Sequence, residues 1–253
     1  MLAVLAAAAV LAAPPAAADL ARTTEALEAA VDAWRETGTP RQPPALLRLA
    51  ERQQRLLLRL GLASRREGDA VVAALPARLR RNMGDVLLAR RALVRLTPPT
   101  TRPLSSFRVG AAAPVGELRA HYAEAQRRFG VPWNVLAAVN FVETAFGKVR
   151  SPSSAGAQGP MQFLPATWRA YGLGGDVHDP RDAILGAANL LRASGAPRDL
   201  RRALFAYNHS PLYVDAVLAY ARVLGRMRAA LPVFHAWRVF VRTPDGYRLV
   251  GPV

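Results

Sequence analysis

Apolar residues recur at helical spacing along most of the chain. Leu20, Leu27, Val31 and Trp34 make one stripe, and Leu46, Leu49, Leu56, Leu57 and Leu60 make a second. A third runs over residues 71–94 and is interrupted near Pro76. Breaks fall at 38–44 and 61–64, where Gly, Pro and Ser cluster. Arg48, Arg52, Arg55 and Arg59 sit between the apolar positions, as on a solvated face. Residues 19–96 therefore read as an N-terminal helical region. The stretch TPPTTRP at 97–103 cannot continue a helix, because its prolines remove donors and push the preceding residues extended. A Pro-rich linker is expected over 97–116.

Beyond it, residues 117–129 place Leu118, Tyr122, Ala125 and Phe129 on one side of a helix. A second helix is expected from Pro132 towards Gly147, with Leu136, Val139 and Phe146 in its stripe. A short one follows at 165–171. Asp179-Pro180-Arg181-Asp182 reads as an N-cap, a first-turn proline and a first-turn acid, and Asp199 as the cap of the next helix. Residues 213–224 close this helical domain, assigned to 117–230. The period then changes: 237–242 and 247–250 alternate around Thr243-Pro244-Asp245-Gly246, which predicts a β-hairpin tail over 231–253.

The start of the chain is different in kind. Residues 2–13 are an apolar run, too short for the roughly 20 residues a membrane span needs, and Ala16-Ala17-Ala18 resembles a cleavage site. Residues 1–18 are read as a signal peptide, so export to the periplasm or cell wall is expected. No basic residue precedes the run, so a retained anchor is the alternative. The absence of cysteine rules out disulfides and thiol chemistry. The net charge of +16 is nearly all arginine, Lys148 being the only lysine. Such basicity suits nucleic acid, an anionic membrane or an acidic polymer. With export, anionic cell-wall polymers are favoured. Specific nucleic-acid binding is disfavoured, since the charge is spread over both halves, +6 in residues 19–100 and +10 in 101–253.

One carboxylate is placed for chemistry. Glu143 falls on the apolar face of its helix, seven residues after Leu136 and four after Val139. Burial and the negative end of the helix dipole both disfavour its anion, which suits a general acid. Of the three glutamates after residue 100, Glu117 and Glu124 lie on a polar side. Paired glycosidase carboxylates stand about 5–5.5 Å apart for retention or about 6.5–9.5 Å for inversion. The nearest candidate for a second is Asp176, and Asp after Gly-Gly is ordinarily turn chemistry. After the helix come the Gly- and Ser-rich loop SPSSAGAQG and then PMQF. There Met161, Gln162 and Phe163 combine apolar surface with an amide, as a sugar cleft requires.

In order, ETxFG, SxxGAxGPMQFxPxTW and AYN resemble the lytic transglycosylases of the SLT type, relatives of goose-type lysozyme, over about residues 118–224. The resemblance implies a mainly α fold: a lysozyme-like helical catalytic domain with an N-terminal helical region and a short C-terminal β-hairpin. It implies that Glu143 protonates the bond between N-acetylmuramic acid and N-acetylglucosamine and then acts as base on the muramyl C6 hydroxyl, giving a 1,6-anhydro end. Ser153 and Tyr207 would orient Glu143. Met161, Gln162 and Phe163 would line the glycan cleft, and Asn208 would support Tyr207 or the sugar. The spacing from Glu143 to Ser153 is one residue longer than in many relatives, so Ser154 is an alternative. AYNHS replaces the more frequent AYNxG, which leaves the rim beyond Asn208 open. A single carboxylate calls for substrate assistance by the N-acetyl group. His121, His178, His209 and His235 have no ligand spacing, so no metal and no cofactor are expected. The expected partner is the peptidoglycan glycan strand, met by a monomer. A hydrolytic lysozyme and a non-catalytic wall-binding protein are the alternatives.

Overall fold

A computed structural model describes residues 14–251. It is mainly helical. Helices α1 (Pro15–Glu36), α2 (Pro44–Leu62), α3 (Arg65–Ala73) and α4 (Ala77–Leu96) make the N-terminal region. After a 3-10 turn at Leu104–Ser106 come α5 (Val115–Phe129), α6 (Trp133–Thr144), α7 (Pro165–Tyr171), α8 (Pro180–Ala193), α9 (Leu200–Tyr207) and α10 (Pro211–Arg226). Helix α11 (Ala230–Ala236) leads into β1 (Phe240–Thr243) and β2 (Gly246–Leu249), an antiparallel pair with Thr243 opposite Gly246.

The apolar stripes become the core. Leu20, Leu27, Val31 and Trp34 of α1 are buried, as are Leu46, Leu56, Leu57 and Leu60 of α2, while the intervening arginines Arg48, Arg52, Arg55 and Arg59 are exposed. Pro76 separates α3 from α4, and the Ser64 side chain caps α3 by accepting from Glu67 N at 3.2 Å. Asp179 and Asp199 cap α8 and α9 through the amides of Asp182 and Arg202. The expected signal peptide lies mostly on residues 1–13, outside the described residues. Residues 15–18 form the first turn of α1, where Ala17 is buried. Helix α11 was not expected; it takes the first part of the tail, Pro232 falling in its first turn where a missing N–H costs nothing.

Helix α6 sits among α5, α8 and α10, and α4 packs along α10. One buried cluster runs continuously from α1 through α11. Polar contacts reinforce this packing. Arg222 and Arg226 of α10 pair with Asp85 of α4, the Arg222 contact being 2.6 Å. Burial opposes ionisation of Asp85, and the two guanidiniums outweigh it, so its carboxyl lies below the usual range. The Arg55 guanidinium lies 4.8 Å over the Phe240 ring, and Arg90 donates to the Tyr247 hydroxyl at 3.1 Å, tying the hairpin to α2 and α4.

Candidate active site

The last turn of α6 is held in an unusual shape. Ala145 and Phe146 follow it at φ 51° and 66°, a left-handed conformation that costs side-chain-bearing residues of order 1–3 kcal/mol each. A buried network maintains it. Thr144 Oγ1 donates to Pro160 O at 2.6 Å and accepts from Gly147 N at 2.8 Å. Asn140 Nδ2 donates to the same carbonyl at 2.8 Å, and Tyr122 donates to Asn140 Oδ1 at 2.6 Å. Phe146, buried, stacks on Phe141 with centroids 5.3 Å apart. The loop after α6 is thus fastened to the helix that carries Glu143.

Within that loop Gln158 and Phe163 pair backbone to backbone, with Gly159 at the bend. A Cβ at Gly159 would lie 1.9 Å from Val177 O, so only glycine fits. Gln162 adopts φ 50° and donates its side-chain amide to Gly159 O at 3.1 Å.

Glu143 is half-buried, and its Oε1 accepts from the Tyr213 hydroxyl at 2.7 Å. Burial pushes its carboxyl up and the Tyr213 bond partly opposes this, leaving it at about 7 instead of 4.5. No charged side chain contributes to that shift. The Tyr207 ring lies parallel to that of Tyr213, centroids 6.3 Å apart. Burial, then the charge of Glu143, raises the hydroxyls of both tyrosines well above their ordinary value, so both remain donors. A cavity of about 160 Å³ beside Glu143 is walled by Leu58 of α2, Arg90 and Leu93 of α4, and Phe240 of β1. The N-terminal helices and the hairpin therefore reach the Glu143 side of α6.

The other sequence candidates are placed less uniformly. Tyr207 is beside the site, but its hydroxyl donates to Met161 O at 2.6 Å, not to Glu143. Ser153 is exposed, and its Oγ accepts from the amides of Ala155 and Ala157 at 3.2 and 3.0 Å, so it shapes the loop. The cleft surface expected from Met161 and Phe163 is corrected: both side chains are buried, Met161 in the core and Phe163 edge-on to Trp168. Alternation in a tight bend turned these apolar residues inward and left Gln162 half-exposed. Asn208, half-exposed, follows α9 and its carbonyl accepts from Ser210 N. Tyr213 and Thr144 were missed. Thr144 stands in the ETxFG block beside Glu143, whereas Tyr213, 70 residues away, carries no local signal.

Elimination isolates Glu143. Residues 121–226 hold seven carboxylates. Glu124 pairs with Arg181 and Asp215 with Arg201. Asp179 and Asp199 are caps, Asp182 accepts from Asp176 N, and Asp176 accepts from His178 N in its turn. Only Glu143 is bonded to a neutral phenol in a low-polarity setting, a poise that suits proton transfer.

Residues 121–226 match the family model of the transglycosylase SLT domain. The match covers Glu143, the loop through Phe163, Tyr207, Asn208 and Tyr213, and leaves out α1–α4, α11 and the hairpin. No curated protein and no solved structure matches the chain.

Proposed function

From a chain that carries an SLT transglycosylase domain, and with it the general reading of a peptidoglycan lytic transglycosylase, we propose that it cleaves the β-1,4 bond between N-acetylmuramic acid and N-acetylglucosamine with Glu143 as sole acid and base. Protonated Glu143 gives its proton to the glycosidic oxygen as the C1–O bond breaks. The muramyl N-acetyl oxygen closes on C1 in place of a second carboxylate. Glu143, now an anion, takes the proton of the C6 hydroxyl as that oxygen attacks C1 and the N-acetyl group leaves. The Glu143 proton is restored, no water is consumed, and a 1,6-anhydromuramyl end results. The observation that carries this reading is a carboxyl poised at about 7 with one phenolic partner and no second acid in a comparable setting.

Tyr213 is assigned to orient Glu143, and Tyr207 to hold the Met161 backbone that frames the loop. Export is part of the proposal, supported by the apolar run at 2–13 and the Ala16-Ala17-Ala18 pattern after it. So is attraction to anionic wall polymers, supported by the net charge of +16.

Incubation with purified peptidoglycan and mass spectrometry of the soluble products tests the reading. The expected muramyl ends are about 18 Da lighter than hydrolysed reducing ends, with turnover lost in Glu143→Gln. Reducing ends would instead assign a lysozyme, and full activity of Glu143→Gln would overturn the role of that residue.

A further inference from the structure

The chain's single lysine is left unused by this chemistry. Lys148 lies five residues beyond Glu143, yet it turns away from it and donates to the carbonyls of His235 and Trp237, the latter at 2.6 Å. An ammonium has three donors, so one remains after these two bonds. No ion pair to Lys148 occurs among the described residues, although its side chain is half-buried. Burial, and then the charge of Arg238, pull its pKa down to about 8. A second titratable group shares the site. His235 is pushed to about 4 by burial and by Lys148, and it contacts Ala113 O at 2.9 Å and Gln42 Oε1 at 3.2 Å. The imidazole is therefore neutral and adds no second positive charge beside Lys148.

Lys148 borders a cavity of about 480 Å³, within the roughly 300–1,000 Å³ usual for ligand pockets. Its walls are mainly apolar, from Leu47 of α2, Ala112 of the 97–114 connection, and Val239 and Val250 of the tail. Arg41 stands exposed at its rim. All of its lining except Lys148 lies outside residues 121–226. Arg238 and Val239 line both this cavity and the one beside Glu143, so the two are neighbours.

A mainly apolar pocket lined by a half-buried cation and by no acid selects an anionic ligand. We propose that this pocket receives the peptide stem of the peptidoglycan strand, a stem carboxylate meeting the remaining donor of Lys148 and Arg41 attracting it at the rim. This rests on peptidoglycan being the substrate. It makes the N-terminal helices and the C-terminal tail a reader of stem peptides for the Glu143 site.

Two measurements separate this proposal from the catalytic one. First, a synthetic stem tetrapeptide with free carboxylates is titrated calorimetrically into the full chain. It should bind, about tenfold more weakly when its carboxylates are amidated and about tenfold more weakly to Lys148→Met, the size of one charge-assisted hydrogen bond. Arg41→Glu changes an exposed residue, so its fold should be retained, and it too should weaken the peptide. Second, cleavage is compared on glycan strands with stems and on strands stripped of them by amidase. Both variants should raise KM for the stemmed strand several-fold, with kcat and the stripped substrate unchanged. Equal binding of free and amidated peptide, no peptide binding, or an equal effect on both strands would overturn the proposal. If neither strand is cut by the parent protein the catalytic reading fails, and the calorimetric result still decides for or against the pocket.

Discussion

Tyr213, at the start of α10, donates its phenolic proton to Glu143 Oε1 at 2.7 Å from 70 residues away. The bond fixes the carboxyl's direction and tempers the effect of burial, which alone would push it higher. Tyr213→Phe should leave the fold intact and lower kcat about 10–100-fold, the range of one orienting bond to a charged group. The alkaline limb of the pH–rate profile should also move upward, because the anion loses its donor. A limb that stays in place would deny Tyr213 its part in setting the acid.

Glu143 also links pH to stability. Its carboxyl is raised in the folded chain to about 7 from 4.5, so the fold holds a proton that the unfolded chain has lost. The resulting stabilisation is complete below about 4.5 and disappears as pH rises through about 7. Removing the ionisable group should therefore stabilise the protein on the alkaline side. Glu143→Gln is expected to gain on the order of 2 kcal/mol at pH 8 and little at pH 4, read from denaturant midpoints at the two values. Cleavage by the parent protein should fall over the same interval as the acid form is depleted.

The loop after α6 depends on Thr144, whose hydroxyl joins Pro160 O to Gly147 N. Thr144→Val keeps the shape but leaves Gly147 N without its partner and Pro160 O with Asn140 alone, at a cost of about 2 kcal/mol. Because Ala145 and Phe146 hold left-handed angles only under this restraint, the loss should reach the neighbouring Glu143. Thermal melting and hydrogen exchange at residues 145–147 check it, and unchanged exchange would show that the aromatic stack alone suffices. Gly159→Ala is the harsher case, since its Cβ collides with the backbone of Val177, and little soluble protein is expected.

How far the sequence foretold this depends on the range of each interaction. Helices α1–α6 and α8–α10 were legible because each buries a stripe of its own, and Asp179 and Asp199 act as caps within three residues of their targets. The place of Glu143 on an apolar face was legible for the same reason. Tyr213 was not, because its role depends on how α10 lies against α6. The burial of Met161 and Phe163 depends on the left-handed angle at Gln162, which periodicity does not encode. The neighbourhood of Lys148 with Leu47 and Val250 brings together three distant segments, and only folding joins them.

The relation of the N-terminal helices to the rest gives the last prediction. The stretch at 97–103 is exposed and rich in proline, so a protease should cut there early. Release of the halves is a separate matter. Helix α4 covers α10 along its length, Asp85 holds Arg222 and Arg226, and Arg242 of β1 donates to Val94 O at 2.8 Å. Thr100 N donates to Arg242 O at 2.7 Å, which fastens the linker itself to the hairpin. After a single cut the two fragments should co-elute on gel filtration under native conditions and separate only in denaturant. Residues 102–253 made alone would uncover the side of α10 that α4 covers, the side carrying Arg222 and Arg226, and should aggregate or bind a hydrophobic dye. Asp85→Asn should weaken the association of the cut halves by about 1–3 kcal/mol, since it strands two guanidiniums against α4. A soluble, active 102–253 fragment would show that the α4–α10 contact is dispensable and that the small cavity walled by Leu58, Arg90 and Leu93 plays no part in catalysis.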